Sequence, residues 1–135
     1  MALILDADVI ISGERGTFDL EQWLTSRKNE QFEVAAITIA ELWHGVERAG
    51  SAQRVRREQY LQEFVSGLSI APYTEQTAYI HAHLWAGLEA SGKMIGPHDL
   101  IVAATALERG NPIITFNRKH FAQVEGLRVI DPRLD

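Results

Sequence analysis

Five short apolar runs along the chain are typical of buried strands. They lie at residues 2–5, 33–37, 68–72, 112–115 and 127–130. Between them lie longer segments with apolar residues at helical spacing. Leu61, Phe64, Val65 and Leu68 fall at i, i+3, i+4 and i+7, and residues 73–90 show a similar period. Strands that alternate with helices predict an α/β fold with a mostly parallel sheet.

The segment GPHDLIVAATALERG, residues 96–110, predicts a buried helix, because it is apolar on nearly every side from Leu100 to Leu107. Pro97 suits the first helical position and Gly110 suits the position just beyond the end. Asp99 is therefore expected in or near the first turn of this helix.

Acidic residues interrupt the apolar pattern at places where strands should end. In LILDADVII, residues 3–11, Asp6 directly follows an apolar strand, and burying an unpaired carboxylate costs several kcal/mol. Glu41 comes about one helical turn after VAAIT, and Asn117 follows PIIT through Phe116. Sites in parallel sheets form at the carboxyl ends of strands, so we expect Asp6, Glu41, Asp99 and Asn117 to converge there.

Convergent carboxylates repel one another unless some are protonated or a multivalent cation lies between them. The chain has no cysteine and no paired histidine ligands, so oxygen ligands and a hard cation are expected. Mg²⁺ or Mn²⁺ fits such ligands better than zinc does. Such ions activate water and neutralise charge during phosphodiester hydrolysis, which makes a nuclease the favoured function.

Structural explanations exist for several of the same residues. Thr38 and Glu41 have the spacing of a helix capping box, and Asp99 could simply favour a helix dipole. Asp8 suits the cap of a helix, or a position in support of a metal ligand, better than a position as a ligand itself. A role in shaping a turn would be enough to explain Asn117. His98 and His120 could line the cleft, but positions on the surface or in support of the acids are favoured for both.

The bulk properties restrict the class of protein. A length of 135 residues, 46% of them hydrophobic, predicts a single domain over residues 1–135. No signal peptide or membrane-spanning run is evident, so a soluble cytoplasmic protein is expected. The net charge of −5 argues against a purely electrostatic nucleic-acid binder, unless the acids hold cations.

Four motifs in order, LILDADVI, TIAELWHGV, GPHDLIVAATAL and PIITFNRKHF, span the chain nearly from end to end. Together they resemble the PIN-domain family, and specifically the VapC-type ribonuclease toxins of toxin–antitoxin pairs. The resemblance implies a PIN-like α/β/α sandwich and an endoribonuclease, dependent on Mg²⁺ or Mn²⁺, that cuts single-stranded regions of RNA. It also implies a homodimer and a cognate VapB-type antitoxin that blocks the cleft.

The resemblance also assigns roles to individual residues. Asp6, Glu41 and Asp99 match the metal-binding acids of the family, and Asn117 matches a fourth, often acidic, catalytic position. Thr38 and Thr115 match hydroxyls that orient a carboxylate or a water, and Asp8 could compensate for the missing charge at Asn117. Arg118 and Lys119, directly beyond Asn117, are the basic residues best placed to meet RNA.

Three other functions fit the sequence less well. A receiver-type phosphotransfer domain would need a phosphoacceptor aspartate on a central strand, but the chain has no aspartate between Asp19 and Asp99. A haloacid-dehalogenase-like phosphatase would need a hydroxyl or valine where Ile10 stands. A catalytically inactive PIN-like binding module could retain every carboxylate.

Overall fold

The structure, a computed structural model, describes residues 2–134 and contains a parallel sheet of five strands. The strands are β1 (Ala2–Leu5), β2 (Gln31–Ala35), β3 (Ser69–Ala71), β4 (Ile113–Ile114) and β5 (Val129–Ile130). Their order across the sheet is β3-β2-β1-β4-β5, and every neighbouring pair is parallel. The first strand of the chain is therefore the central strand of the sheet.

Helices connect the strands and cover both faces of the sheet. They are α1 (Ala7–Arg15), α2 (Leu20–Ser26), α3 (Ala36–Arg48), α4 (Ser51–Ser66), α5 (Glu75–Ala90), α6 (Pro97–Arg109) and α7 (Arg118–Phe121). Side chains along β1 alternate between the two layers, because Leu3 and Leu5 pack with α1 to α4 whereas Ile4 packs with α6 and α7. The predicted α/β/α sandwich around a parallel sheet is confirmed.

The chain adds strands first on one side of β1 and then on the other, so the order of the strands reverses between β1 and β4. From β1 the sheet grows through β2 and β3 on one side and through β4 and β5 on the other. A crevice forms outside the carboxyl ends of the strands at such a reversal, and ligands of open α/β sheets bind there. Asp6 follows β1 and Thr115 follows β4, so both residues lie at this crevice.

The predicted strand at 33–37 is correct only through Ala35. Ala36 and Ile37 belong to α3, which begins without any intervening loop. The error at Ala36 and Ile37 arises because an apolar run has the same composition in a buried strand and in the buried first turn of a helix. The strand predicted at 127–130 is shorter in the structure, where β5 covers only Val129–Ile130. Leu68, which the helical spacing grouped with Leu61, lies beyond the end of α4.

The helix predicted over 96–110 is confirmed. Pro97 is its first residue, Gly110 ends it with a positive φ of 68°, and Asp99 lies in its first turn. None of the helices within residues 2–134 is long and apolar enough to cross a membrane.

Candidate active site at the carboxyl end of the sheet

Asp6 lies at the centre of the crevice and is only 5% exposed. Its Oδ1 accepts a hydrogen bond from the amide of Ala7 at 2.8 Å, as α1 begins. Its Oδ2 accepts from the Thr115 hydroxyl, also at 2.8 Å. The Asp6–Thr115 bond joins the ends of β1 and β4 directly across the reversal point.

Asp8 lies two residues into α1 and faces the same hydroxyl. Its Oδ2 is 3.3 Å from Thr115 Oγ1 and accepts from the amide of Phe116 at 3.2 Å. Its Oδ1 is buried and has no hydrogen-bond partner. Asp8 does not cap α1, because Asp6 occupies the N-cap position. It instead fixes the loop after β4 and leaves one oxygen unsatisfied.

Glu41 comes from the second turn of α3, and it is not part of a capping box. The helix begins at Ala36, before Thr38, and its N-cap residue Ala35 makes no side-chain bond, so that structural explanation is wrong. Glu41 Oε1 is buried without a partner, and the buried Thr38 hydroxyl has none either. A catalytic or binding role is therefore the better explanation for this glutamate.

Asp99 lies at the start of α6 beside a histidine. Its Oδ2 is 3.2 Å from His120 Nε2, and the same nitrogen is 3.3 Å from the amide of Gly96. One ring nitrogen cannot accept from Gly96 and donate to Asp99 at the same moment, so only one of these hydrogen bonds forms at a time. His98, the residue before Asp99, has its Nδ1 3.8 Å from Glu41 Oε2. Each histidine therefore lies beside one of the acids, in the supporting position that the sequence favoured.

The four carboxylates influence one another electrostatically. Burial, followed by the neighbouring charge of Asp8, raises the pKa of Asp6 to about 7. Burial also raises the pKa values of Asp8, Glu41 and Asp99, and the charge of Asp99 adds to the increase at the first two. Each raised pKa means that the folded, metal-free protein disfavours the charged form that a cation would require.

The donors of the cleft fit a hard divalent cation. The acids offer only oxygens, and two of these, Asp8 Oδ1 and Glu41 Oε1, are buried without hydrogen-bond partners. Among residues 2–134, no three His, Asp or Glu side chains are grouped tightly enough to hold an ion between them. Mg²⁺ tolerates such an arrangement, because it binds through one or two carboxylates and retains several waters.

The other predicted residues lie at the rim of the cleft. Asn117 is exposed; its amide donates to Thr115 Oγ1 at 3.0 Å, whereas its side chain caps no helix. Arg118 and Lys119 begin α7 and are exposed. Thus direct hydrogen bonds join Asp6, Asp8 and Thr115, electrostatic coupling adds Glu41 and Asp99, and Asn117 stays at the edge.

Sequence reasoning missed two residues beside the cleft, Asp131 and Arg133. Arg133 contacts the Asp131 carboxylate and the carbonyl of Phe116, next to Thr115. The only local signal was the sequence DPRL, which is typical of a turn but does not show which residue the arginine would contact.

A parallel α/β sandwich with acids at the end of its central strand fits a protein that hydrolyses phosphodiester bonds with the help of a divalent cation. The PIN domain family model matches residues 3–127. Ribonuclease VapC1 of Rickettsia felis is 31% identical over 131 residues, covering 96% of each chain. The tRNA(fMet)-specific endonuclease VapC of Salmonella typhimurium is 30% identical over 98 residues, 73% of each chain. This chain belongs to the PIN domain family, and within it to the VapC ribonucleases.

Solved structures share the fold over nearly the whole chain. VapBC2 of Rickettsia felis, bound to a promoter DNA fragment, has a TM-score of 0.89 at 24% identity and covers 96% of this chain and 97% of its own. VapBC-5 of Mycobacterium tuberculosis, from the VapBC family of toxin–antitoxin systems, has a TM-score of 0.75 at 27% identity over the same shares. At 24% identity, the first of these likenesses shows the fold alone.

Proposed function

We propose that this protein is an endoribonuclease, dependent on Mg²⁺ or Mn²⁺, that cuts single-stranded regions of RNA as the toxin of a toxin–antitoxin pair. The observation that carries the proposal is the cleft at the end of β1, where four acids with raised pKa values lie and two buried carboxylate oxygens have no partner. The ribonuclease names of the relatives support RNA as the substrate.

Each predicted residue of the cleft has a proposed role in hydrolysis. Asp6, Glu41 and Asp99 would hold the ion, one or two of them directly and the rest through water, and Asn117 completes the catalytic set at the rim. A bound divalent ion supplies an activated water and neutralises charge on the leaving oxygen. Thr115 holds the carboxylate of Asp6 in place through its 2.8 Å hydrogen bond, and Asp8 fixes the loop beside it. Thr38 contributes a buried hydroxyl on the Glu41 side.

The direct test is incubation of purified protein with labelled total RNA in Mg²⁺, in Mn²⁺ and in EDTA. Discrete cuts that vanish with EDTA are expected. A catalytically inactive module would give no cuts, and it would also show no rise in melting temperature with Mn²⁺ unless it kept the metal site. Cutting that continues undiminished in EDTA would contradict metal-dependent hydrolysis.

Arg118 and Lys119 are proposed to bind RNA phosphates at the rim. We expect Arg118→Ala to weaken RNA affinity and to reduce the slope of log affinity against log salt by about 0.7, the value for one single-strand phosphate contact. Arg128→Ala is the matched control, since Arg128 is exposed and donates to the carbonyl of Gly110, away from the cleft. Equal salt slopes for the parent and Arg118→Ala would show that Arg118 does not bind an RNA phosphate.

Two protein partners belong to the same proposal. A VapB-type antitoxin is supported by the likeness to VapBC-5 of Mycobacterium tuberculosis, a member of the VapBC family of toxin–antitoxin systems, and we propose that this antitoxin covers the cleft. A homodimer is supported by an apolar groove between α5 and α6, where Trp85 is 54% and Met94 is 84% exposed. Light scattering on the purified chain measures its mass, and a monomer at micromolar concentration would contradict the homodimer.

A further inference from the structure

A tight turn after β5 brings the end of the chain back toward the cleft. Asp131 is 7% exposed, and its Oδ1 accepts from the amide of Arg133 at 2.9 Å. The amide of Leu134 donates to the carbonyl of Asp131 at 3.1 Å. Pro132 restricts the backbone within this turn. These hydrogen bonds therefore hold the backbone of Arg133, from which its side chain extends, in place.

The Asp131 carboxylate also holds the guanidinium of Arg133. Nε donates to Oδ1 at 3.0 Å and Nη2 donates to Oδ2 at 2.7 Å, which is a bidentate pair. The hydrogen bonds from Arg133 lower the pKa of Asp131, so the carboxylate stays charged. Two parallel bonds fix the plane of the guanidinium as well as its position.

The fixed guanidinium contacts Phe116 in two ways. Nη2 donates to the carbonyl of Phe116 at 3.1 Å, and the guanidinium carbon lies 4.5 Å from the centre of the Phe116 ring. Phe18 meets the same ring edge-on, with 5.3 Å between ring centres and 79° between planes. Phe18 and Arg133 both pack on this ring, and Arg133 also holds the backbone.

Phe116 is the link between this contact and the carboxylates. Its amide donates to Asp8 Oδ2 at 3.2 Å. The preceding residue, Thr115, donates to Asp6, and the following amide, of Asn117, donates to the Thr115 hydroxyl. A shift of the Phe116 peptide would therefore disturb the hydrogen bonds to Asp6 and Asp8 together.

We propose that Arg133 is a positioning residue for the cleft. Held by Asp131, it fixes the segment 115–117, and through this segment it sets the orientation of Asp6 and Asp8. The effect on catalysis rests on the proposed nuclease function, whereas the effect on the loop does not. The competing role, direct binding of an RNA phosphate by Arg133, is one outcome of the test below.

The test compares Arg133→Met and Arg133→Lys with Arg128→Met, a matched arginine variant in the same terminal part of the chain. Arg133 is half exposed, so its replacement is not expected to prevent folding. In metal-free protein, we expect hydrogen exchange at the amide of Phe116 to become about tenfold faster in both Arg133 variants. Amides in the middle of α3 serve as the internal reference, and Arg128→Met should match the parent.

With RNA and metal present, we expect kcat to fall about tenfold in both Arg133 variants while KM stays within about twofold. Lysine keeps the charge but cannot form the planar bidentate pair, so it should resemble methionine. Full rescue by lysine, or unchanged exchange at Phe116, would overturn the proposal. A raised KM with normal kcat would assign Arg133 to phosphate binding and would also overturn it.

The exchange measurement keeps the two proposals separate. If the parent protein does not cut RNA, the proposed function fails, but faster exchange at Phe116 still supports the positioning role. If the parent cuts RNA and exchange at Phe116 is unaffected by Arg133→Met, the nuclease stands and the positioning role fails.

Discussion

Asp99→Asn should lower the rate of RNA cleavage by about a thousandfold and leave the fold intact. This loss corresponds to about 4 kcal/mol of transition-state stabilisation. A divalent ion contributes several kcal/mol of such stabilisation, so a loss of this size is expected when the ion is no longer held. Asparagine has nearly the same shape, but it removes the negative charge that the ion requires. Asp99 also raises the pKa values of Asp6, Asp8 and Glu41, so its loss changes the electrostatics of the whole cleft.

The measurement is single-turnover cleavage of one labelled RNA, with circular dichroism to verify the fold. Asp19→Asn is a matched control, because Asp19 caps α2 through a 3.1 Å bond from the amide of Gln22, and asparagine caps equally well. The control should retain parental activity. Full activity in Asp99→Asn would remove Asp99 from the metal site, and equal losses in both variants would indicate a nonspecific effect.

Asp6→Asn should make the metal-free protein more stable than the parent, and the difference should grow with pH. The pKa of Asp6 is about 7 in the folded protein, against 3.8 for the free side chain. Between these values the folded state binds more protons than the unfolded state, so stability falls as pH rises. Once Asp6 is fully ionised, above pH 7, the parent has lost about 4 kcal/mol of its free energy of unfolding. Asparagine carries no charge, so the variant does not lose this stability.

The local hydrogen bonds allow this substitution. Asparagine keeps an oxygen for the amide of Ala7, and its NH₂ group can donate to the Thr115 hydroxyl, which then donates to Asp8. Urea denaturation in EDTA at pH 5, 6, 7 and 8 gives the free energies of unfolding. Parallel pH profiles for parent and variant would contradict the raised pKa of Asp6.

Mn²⁺ should reduce the stability advantage of Asp6→Asn over the parent. An ion that binds only the folded state adds about 2.7 kcal/mol at a hundred times its dissociation constant. The parent should gain this stabilisation above pH 7, where its carboxylates are charged, whereas Asp6→Asn should gain much less. An equal gain in both proteins would show that the ion binds elsewhere.

The sequence predicted the acids of the cleft more reliably than it predicted the ends of the elements. Asp6 was informative because a carboxylate inside an apolar strand needs an explanation, and β1 runs from Ala2 to Leu5 as predicted. The boundary between β2 and α3 was not predictable, because Ala36 and Ile37 continue the apolar run into a helix that starts without a loop. The capping-box explanation failed for the same reason.

Contacts between distant parts of the chain were beyond sequence reasoning. The resemblance to the PIN family placed Thr115 near the acids, but it did not predict the simultaneous contact of this residue with Asp6 and Asp8. It gave no indication that Arg133 would contact Phe116, since that contact depends on how the turn after β5 folds back. Residue type and spacing identify candidate ligands, but only the sheet order determines which loops meet.

The strand order also has a consequence during protein synthesis. The central strand β1 is made first, but its neighbour β4, and the hydroxyl of Thr115 that binds Asp6, come from the last part of the chain. Asp6 and Glu41 are made 109 and 74 residues before Thr115, whereas Asp99 precedes it by only 16 residues. A nascent chain that has not yet reached β4 therefore lacks the hydroxyl that holds Asp6, and the cleft can form only after β4 has been synthesised and has paired with β1.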